Sequence, residues 1–205
     1  FNVWGELKSF SFYTSINNIH LTTGFVGTPY LCPVLSDNGL EEYAYTLLLN
    51  EDFPSWLYEV NMGATTIWER WNSVLPNGLV SDTGMNSMNH YAYGSIIEWM
   101  YRYMCGINPV EDTPGFKKAI IKPQIDDRFD WVECEYLSAA GTYKSSWEKT
   151  EDSMIYHVTV PFDAEAKFIL HNSGQKITIN GKYANELIDK KEIVLSTGEY
   201  EIIVE

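Results

Sequence analysis

The hydrophobic period changes once along this 205-residue chain, and that change limits the fold more than any other feature. Up to about Cys105 apolar residues recur every three or four positions, the spacing of a helix face. Beyond Gly106 they alternate, the spacing of strands with one side buried. Such a chain cannot be one uniform bundle or one uniform sheet. Helices and strands must segregate. The stretch Gly106–Phe116, with Pro109, Pro114 and Gly115, is the expected joint.

In the helical part, Leu40, Tyr43, Ala44, Leu47 and Leu48 fall at the i, i+3, i+4, i+7, i+8 positions of one face, which predicts a helix over Gly39–Leu49. A second helix is expected from about Ala64 to Trp71. A third is expected from about Asn89 to Cys105, stopped by Gly106 and Pro109. The third carries only Glu98 and Arg102 as charges, so burial on nearly every side is expected. It needs more partners than three or four helices provide, which points to a missing upstream segment of the same polypeptide. Thr22–Pro33 and Asn72–Ser87 read as long loops.

In the strand part, Trp131–Leu137 alternates, with Val132, Cys134 and Tyr136 on one face. Met154–Val160 does the same. Lys176–Ile179 runs into Asn180-Gly181, a type I′ hairpin signal. Lys191–Leu195, a turn at Ser196-Thr197-Gly198 and Glu199–Val204 predict a final hairpin. Short strands with turns at close intervals suggest an antiparallel sandwich.

Composition removes several functions. Apolar residues make up 45% and charged residues 20%, so a packed core is expected. The formal net charge of −14 argues against nucleic acid and against an anionic membrane surface. No apolar run is long enough to span a bilayer. Cys32, Cys105 and Cys134 form no CxxC pair, which disfavours a disulfide framework or zinc site and favours a reducing, cytoplasmic setting. Phosphate loops, HExxH and GxSxG are absent from the sequence, so no metal and no cofactor is expected.

Chemistry concentrates in Gly63-Ala64-Thr65-Thr66-Ile67-Trp68-Glu69-Arg70-Trp71. On a helix, Thr65, Trp68, Glu69 and Asn72 would share one face, placing a carboxylate beside an indole. An indole face stacks on the CH face of a sugar, and a carboxylate can bond a hydroxyl or activate water. The competing reading is structural: Thr66-x-x-Glu69 is a capping box. His90 is either a sugar-hydroxyl partner or a satisfied core histidine. Trp56 is either a ligand platform or core.

Four motifs in order carry a resemblance: Leu21-Thr22-Thr23-Gly24-Phe25-Val26-Gly27-Thr28-Pro29, then Pro54-Ser55-Trp56-Leu57-Tyr58, then Gly63–Trp71, then Asn89-His90-Tyr91-Ala92-Tyr93-Gly94-Ser95. The chain resembles the C-terminal part of bacterial α-L-rhamnosidases, glycoside hydrolase family 78, over most of residues 5–125. The resemblance implies an α+β multidomain arrangement. Residues 1–112 would be the last helices of an (α/α)6-barrel catalytic domain, and 113–205 a C-terminal antiparallel β-sandwich. It implies hydrolysis of terminal α-L-rhamnosides with inversion, by an acid and a base ~6.5–9.5 Å apart. Glu69 stands where the family has its general base, and His90 where it has a sugar-contacting histidine; Trp56 and Trp68 are expected to border the sugar. The family's general acid lies on an earlier helix, ahead of Phe1, so the chain by itself is expected to be inactive. A non-catalytic carbohydrate-binding or assembly module, and an (α/α)6 enzyme for another sugar, are the alternatives.

Overall fold

The computed structural model describes residues 20–82, 84–171 and 176–205. The chain divides into two compact units, one ending at Ile97 and the other beginning at Glu98.

In the first unit the described residues form α1 (Thr28–Asp37), α2 (Glu41–Leu49), α3 (Trp56–Asn61) and a 3₁₀ turn at Ala92–Ser95. Helix α1 begins inside the stretch predicted as loop, Thr22–Pro33, and runs beyond it to Asp37. Pro29 sits in its first turn, where a missing N–H costs nothing, and Thr28 Oγ1 donates to the Gly24 carbonyl at 2.9 Å. Its buried residues Thr28, Cys32, Leu35 and Ser36 form an i, i+4, i+7, i+8 stripe that is too polar for a hydrophobic pattern to reveal. Helix α2 starts at Glu41 rather than Gly39, and Tyr45, not Tyr43, joins Ala44, Leu47 and Leu48 inside. Helix α3 opens on Ser55, whose side chain accepts the Tyr58 N–H at 3.0 Å in an ordinary N-cap.

The helix predicted over Ala64–Trp71 does not form. Thr65, Thr66, Ile67 and the indoles Trp68 and Trp71 have modest helix propensity. The amides of Trp68, Glu69 and Arg70 bond outside the segment instead of to its own carbonyls. The capping-box reading of Thr66 and Glu69 falls with it. The third predicted helix begins later, at Ala92, and changes geometry twice: 3₁₀ to Ser95, α4 (Ile96–Trp99), then a π turn at Met100–Met104. It is less enclosed than expected, since Ile97 is 52% exposed.

The second unit is a two-sheet sandwich. A four-stranded sheet has the order β1-β2-β6-β9: β1 (Ile107–Pro109), β2 (Lys118–Ile121), β6 (Glu165–Ile169) and β9 (Glu192–Leu195). A six-stranded sheet has the order β3-β4-β5-β10-β7-β8: β3 (Trp131–Ser138), β4 (Gly141–Lys149), β5 (Met154–Val160), β10 (Gly198–Val204), β7 (Ile177–Ile179) and β8 (Lys182–Tyr183). A short helix α5 (Asn185–Lys190) links β8 to β9. The predicted strands at 131–137, 154–160 and 176–179 are present, and Val132, Cys134 and Tyr136 pack on the core as the alternation requires. Asn180 and Gly181 both take positive φ, 48° and 74°, as a type I′ turn demands.

Two expectations change. The last two strands are not a hairpin: β9 pairs with β6 and β10 pairs with β5 and β7, so Ser196-Thr197 crosses between the sheets. The sandwich is also not wholly antiparallel, because β2 and β6 run parallel. The core is aromatic, with Tyr143, Trp147, Tyr156 and Phe168 all at 0–1% exposure. Two of them also make hydrogen bonds: Tyr143 Oη donates to Phe116 O at 2.7 Å and Trp147 Nε1 to Met104 O at 2.9 Å. Ser145 Oγ donates to Cys105 O at 2.6 Å, so the carbonyls that end the π turn are capped by β4. Among the described residues no helix is long and apolar enough to cross a membrane.

Gly106 is where the chain turns from helix to sheet. Its φ is +79°, and a Cβ there would lie 2.2 Å from Pro123 N and 2.3 Å from the Lys122 carbonyl carbon. Gly181 has a similar φ of +74° but open space around it. Gly181→Ala should therefore cost only the left-handed backbone term, about 1–2 kcal/mol. Gly106→Ala should add backbone overlap of about 1–3 kcal/mol to that. Urea unfolding of the two variants checks the ordering, and equal losses would contradict it.

Candidate active site

Helix α3 fixes the first parts of the site. Trp56 and Glu59 lie three residues apart and share its buried side, at 5% and 2% exposure. The helix is closed by Met62 N–H to Tyr58 O and Ala64 N–H to Glu59 O, with Gly63 at φ +86°. From Ala64 onward the chain has no regular structure, so every peptide group needs a partner from elsewhere.

Those partners come chiefly from residues 84–90. Glu69 N–H donates to Ser87 O at 2.9 Å, and His90 N–H donates to Ile67 O at 2.8 Å. Thr66 Oγ1 donates to Met88 O. Arg70 reaches across with Nε to Met85 O and Nη2 to Gly84 O, both at 3.1 Å. The two irregular stretches are thus laced together by backbone and side-chain bonds, without being a sheet.

The half-buried carboxylate of Glu69 sits on this lacing. Its Oε2 accepts the Ser87 N–H at 2.7 Å, so Glu69 and Ser87 exchange two bonds. Among the described residues nothing bonds Oε1. One oxygen is therefore fixed and the other is open, an arrangement suited to a carboxylate that takes a proton from a bound molecule.

His90 is brought to the facing stretch. Its Nδ1 accepts the Ala92 N–H at 3.3 Å, which leaves the ring proton on Nε2. The imidazole is sandwiched between Phe25, with centroids 4.8 Å apart, and Tyr91, at 5.2 Å, both within 16° of parallel. Phe25 tilts onto Tyr93 at 5.3 Å, Tyr93 stacks on Trp71 at 3.8 Å, and Trp71 meets Trp56 edge-on at 5.4 Å. The result is a continuous run of rings from Tyr91, 88% exposed, down to buried Trp56. Trp56 Nε1 donates to Tyr93 O at 2.9 Å. Trp68 is buried at 4% exposure, with its backbone N–H turned to Glu59.

Sequence reasoning missed Glu59. Its Oε2 accepts the Trp68 N–H at 3.3 Å, and its Oε1 is buried without a partner among the described residues. Burial pushes its carboxyl up to about 7, against the lowering pull of the Trp68 amide. Burial also raises the Tyr93 phenol, and the nearby Glu59 charge raises it further while Arg70 opposes. The available signal was the i, i+3 pairing of Glu59 with Trp56 on a helix whose other residues are Leu57, Tyr58, Val60 and Asn61.

A helical unit followed in sequence by a β-sandwich is also the order of the known domains that this chain matches. Residues 7–104 match the bacterial alpha-L-rhamnosidase 6 hairpin glycosidase domain, and residues 106–184 match the bacterial alpha-L-rhamnosidase C-terminal domain. The chain belongs to the bacterial α-L-rhamnosidase family. It is 45% identical to an alpha-L-rhamnosidase of Alteromonas sp. (strain LOR) over 184 residues, 89% of this chain and 19% of that protein. It superposes on the structure of Streptomyces avermitilis alpha-L-rhamnosidase complexed with L-rhamnose with a TM-score of 0.82 at 31% identity, covering 94% of this chain and 19% of that one. For the alpha-L-rhamnosidase of Dictyoglumus thermophilum the TM-score is 0.83 at 27% identity, covering 97% of this chain and 23% of that one. The chain thus spans a small part of each relative.

Glu59 makes a pH-dependent contribution to stability. Below pH 4.5 it is protonated folded and unfolded alike; between 4.5 and about 7 only the unfolded chain has lost its proton. Raising the pH through that window therefore removes stability, about 3 kcal/mol in all. Glu59→Gln cannot titrate. The stability of the wild type minus that of Glu59→Gln should rise by about this amount between pH 8 and pH 4.5. Paired urea titrations measure it, and a difference that stays constant with pH would refute the burial argument.

Proposed function

We propose that this chain is the part of an inverting α-L-rhamnosidase that carries the general base, Glu69, and a sugar-contacting histidine, His90. The helical unit would contribute the last helices of an (α/α)6 barrel, with the sandwich outside the catalytic domain. The observation that carries the reading is the asymmetry at Glu69: Oε2 is held by the Ser87 N–H at 2.7 Å while Oε1 has no partner among the described residues. Family membership supports it, as does the L-rhamnose complex of the Streptomyces avermitilis relative.

In this mechanism the open oxygen of Glu69 takes a proton from a water poised on the face of the anomeric carbon opposite the leaving group. The water oxygen then bonds that carbon as the glycosidic bond breaks. A second carboxyl group must protonate the departing oxygen. Burial pushes the Glu59 carboxyl up to about 7, but at 2% exposure it does not face a substrate. The acid is therefore assigned to a part of the enzyme outside this chain, and the isolated chain should release no rhamnose. His90 Nε2–H is the free donor for a sugar hydroxyl. Trp56 and Trp68, buried at 5% and 4% exposure, would support the sugar site from the core rather than present open faces to the sugar.

In the whole enzyme, Glu69→Gln should lower kcat on an aryl α-L-rhamnoside by roughly 10²–10⁴-fold, with KM changed little. Near-native turnover in that variant would remove Glu69 from the mechanism. His90→Ala should instead raise KM by about tenfold, the worth of one sugar hydrogen bond, with a smaller effect on kcat. Initial-rate kinetics on both variants separate the two roles.

A further inference from the structure

Glu59 is the one charged side chain among the described residues that is fully buried, and stability does not account for it. A leucine of similar size would leave no orphaned oxygen, whereas Glu59 Oε1 is enclosed with no partner among the described residues. A charged residue that costs stability in a packed core points to a task.

The task is visible in the backbone it touches. Three successive amides, those of Trp68, Glu69 and Arg70, lie in a stretch with no helix to satisfy them. Each is caught by a different group: Trp68 N–H by Glu59 Oε2 at 3.3 Å, Glu69 N–H by Ser87 O at 2.9 Å, and Arg70 N–H by Ser73 Oγ at 3.3 Å. Ser87 and Ser73 belong to the irregular stretch 72–90, which is itself held in part by Arg70. Glu59 alone of the three is on a regular element, α3, whose cap and closing bonds are complete. It therefore ties the Glu69 segment to the scaffold, while the other two tie loop to loop.

We propose that Glu59 is a positioning residue for Glu69, acting as a buried acceptor that fixes the Trp68 peptide and so the direction of the neighbouring carboxylate. The proposal rests on the reading of Glu69 as the base. What matters is an acceptor oxygen at that depth, not its charge. Glutamine keeps the oxygen, aspartate keeps the charge but falls one methylene short, and leucine keeps only the volume.

The test is steady-state kinetics of the whole enzyme on an aryl α-L-rhamnoside with Glu59→Gln, Glu59→Asp, Glu59→Leu and, for reference, Glu69→Gln. Misplacement by about 1 Å costs on the order of 10²-fold in rate. Glu59→Leu and Glu59→Asp should accordingly lose roughly 10- to 100-fold in kcat with KM within about threefold, while Glu59→Gln stays within about threefold of the wild type. If Glu59→Leu does not fold, the Asp and Gln variants decide the matter. An active Asp variant beside an inactive Gln variant would overturn the proposal, because charge would then be the requirement. So would an Asp or Leu variant with wild-type kcat. Turnover surviving in Glu69→Gln would overturn the base assignment itself. A dead Glu69→Gln beside unaffected position-59 variants would sink only the positioning role.

Discussion

The site exists because irregular backbone cannot leave its peptide groups unpaired in a packed interior. Between Ala64 and Trp71 the chain gives up helical hydrogen bonds, and it recovers them against residues 84–90 and the side chain of Glu59. The exchange of bonds between Glu69 and Ser87 is central. It fixes one carboxylate oxygen, sets the register of the two stretches and so brings His90 opposite Ile67. Had the segment formed the helix its composition allows, Glu69 would have been a cap serving its own backbone. The geometry around Glu69 and the missing helix are the same fact.

The strands were legible because alternation is a local signal. At 131–138, 154–160 and 198–204 the buried face follows from side-chain order alone. Their partners were not legible. Two strands separated by a short turn look like a hairpin in sequence, yet β9 and β10 lie in different sheets, a choice made by distant cores and not by Ser196-Thr197. Helix α1 was hidden for the opposite reason: its inward stripe uses Thr28, Cys32 and Ser36, whose hydroxyls and thiol fit a helix interface without raising hydrophobicity.

The candidate site was proposed from motif more than from physics. Glu69 and His90 were named from the residues, and the structure puts them on paired stretches of chain. The reasoning that made Glu69 a helix-end carboxylate was mistaken. Thr66-x-x-Glu69 has the spacing of a cap, but Thr66 spends its hydroxyl on Met88 O and Glu69 spends its oxygen on Ser87. Such contacts between residues some twenty positions apart leave no periodic trace. Glu59 left only a faint trace, its i, i+3 spacing with Trp56 on a short helix, and packing is what shows that it is enclosed.

Strand β10 lies inside its sheet, between β5 and β7, although it follows both of them in sequence. β2, one of the earliest, pairs in parallel with β6, which follows after the whole β3-β4-β5 meander. On a ribosome the meander can zip up as it emerges, but its far edge stays open until residues 198–204 have cleared the exit tunnel. The nascent sandwich therefore passes through a stage with a bare, ladder-ready margin, the kind of edge that pairs with other chains unless it is covered.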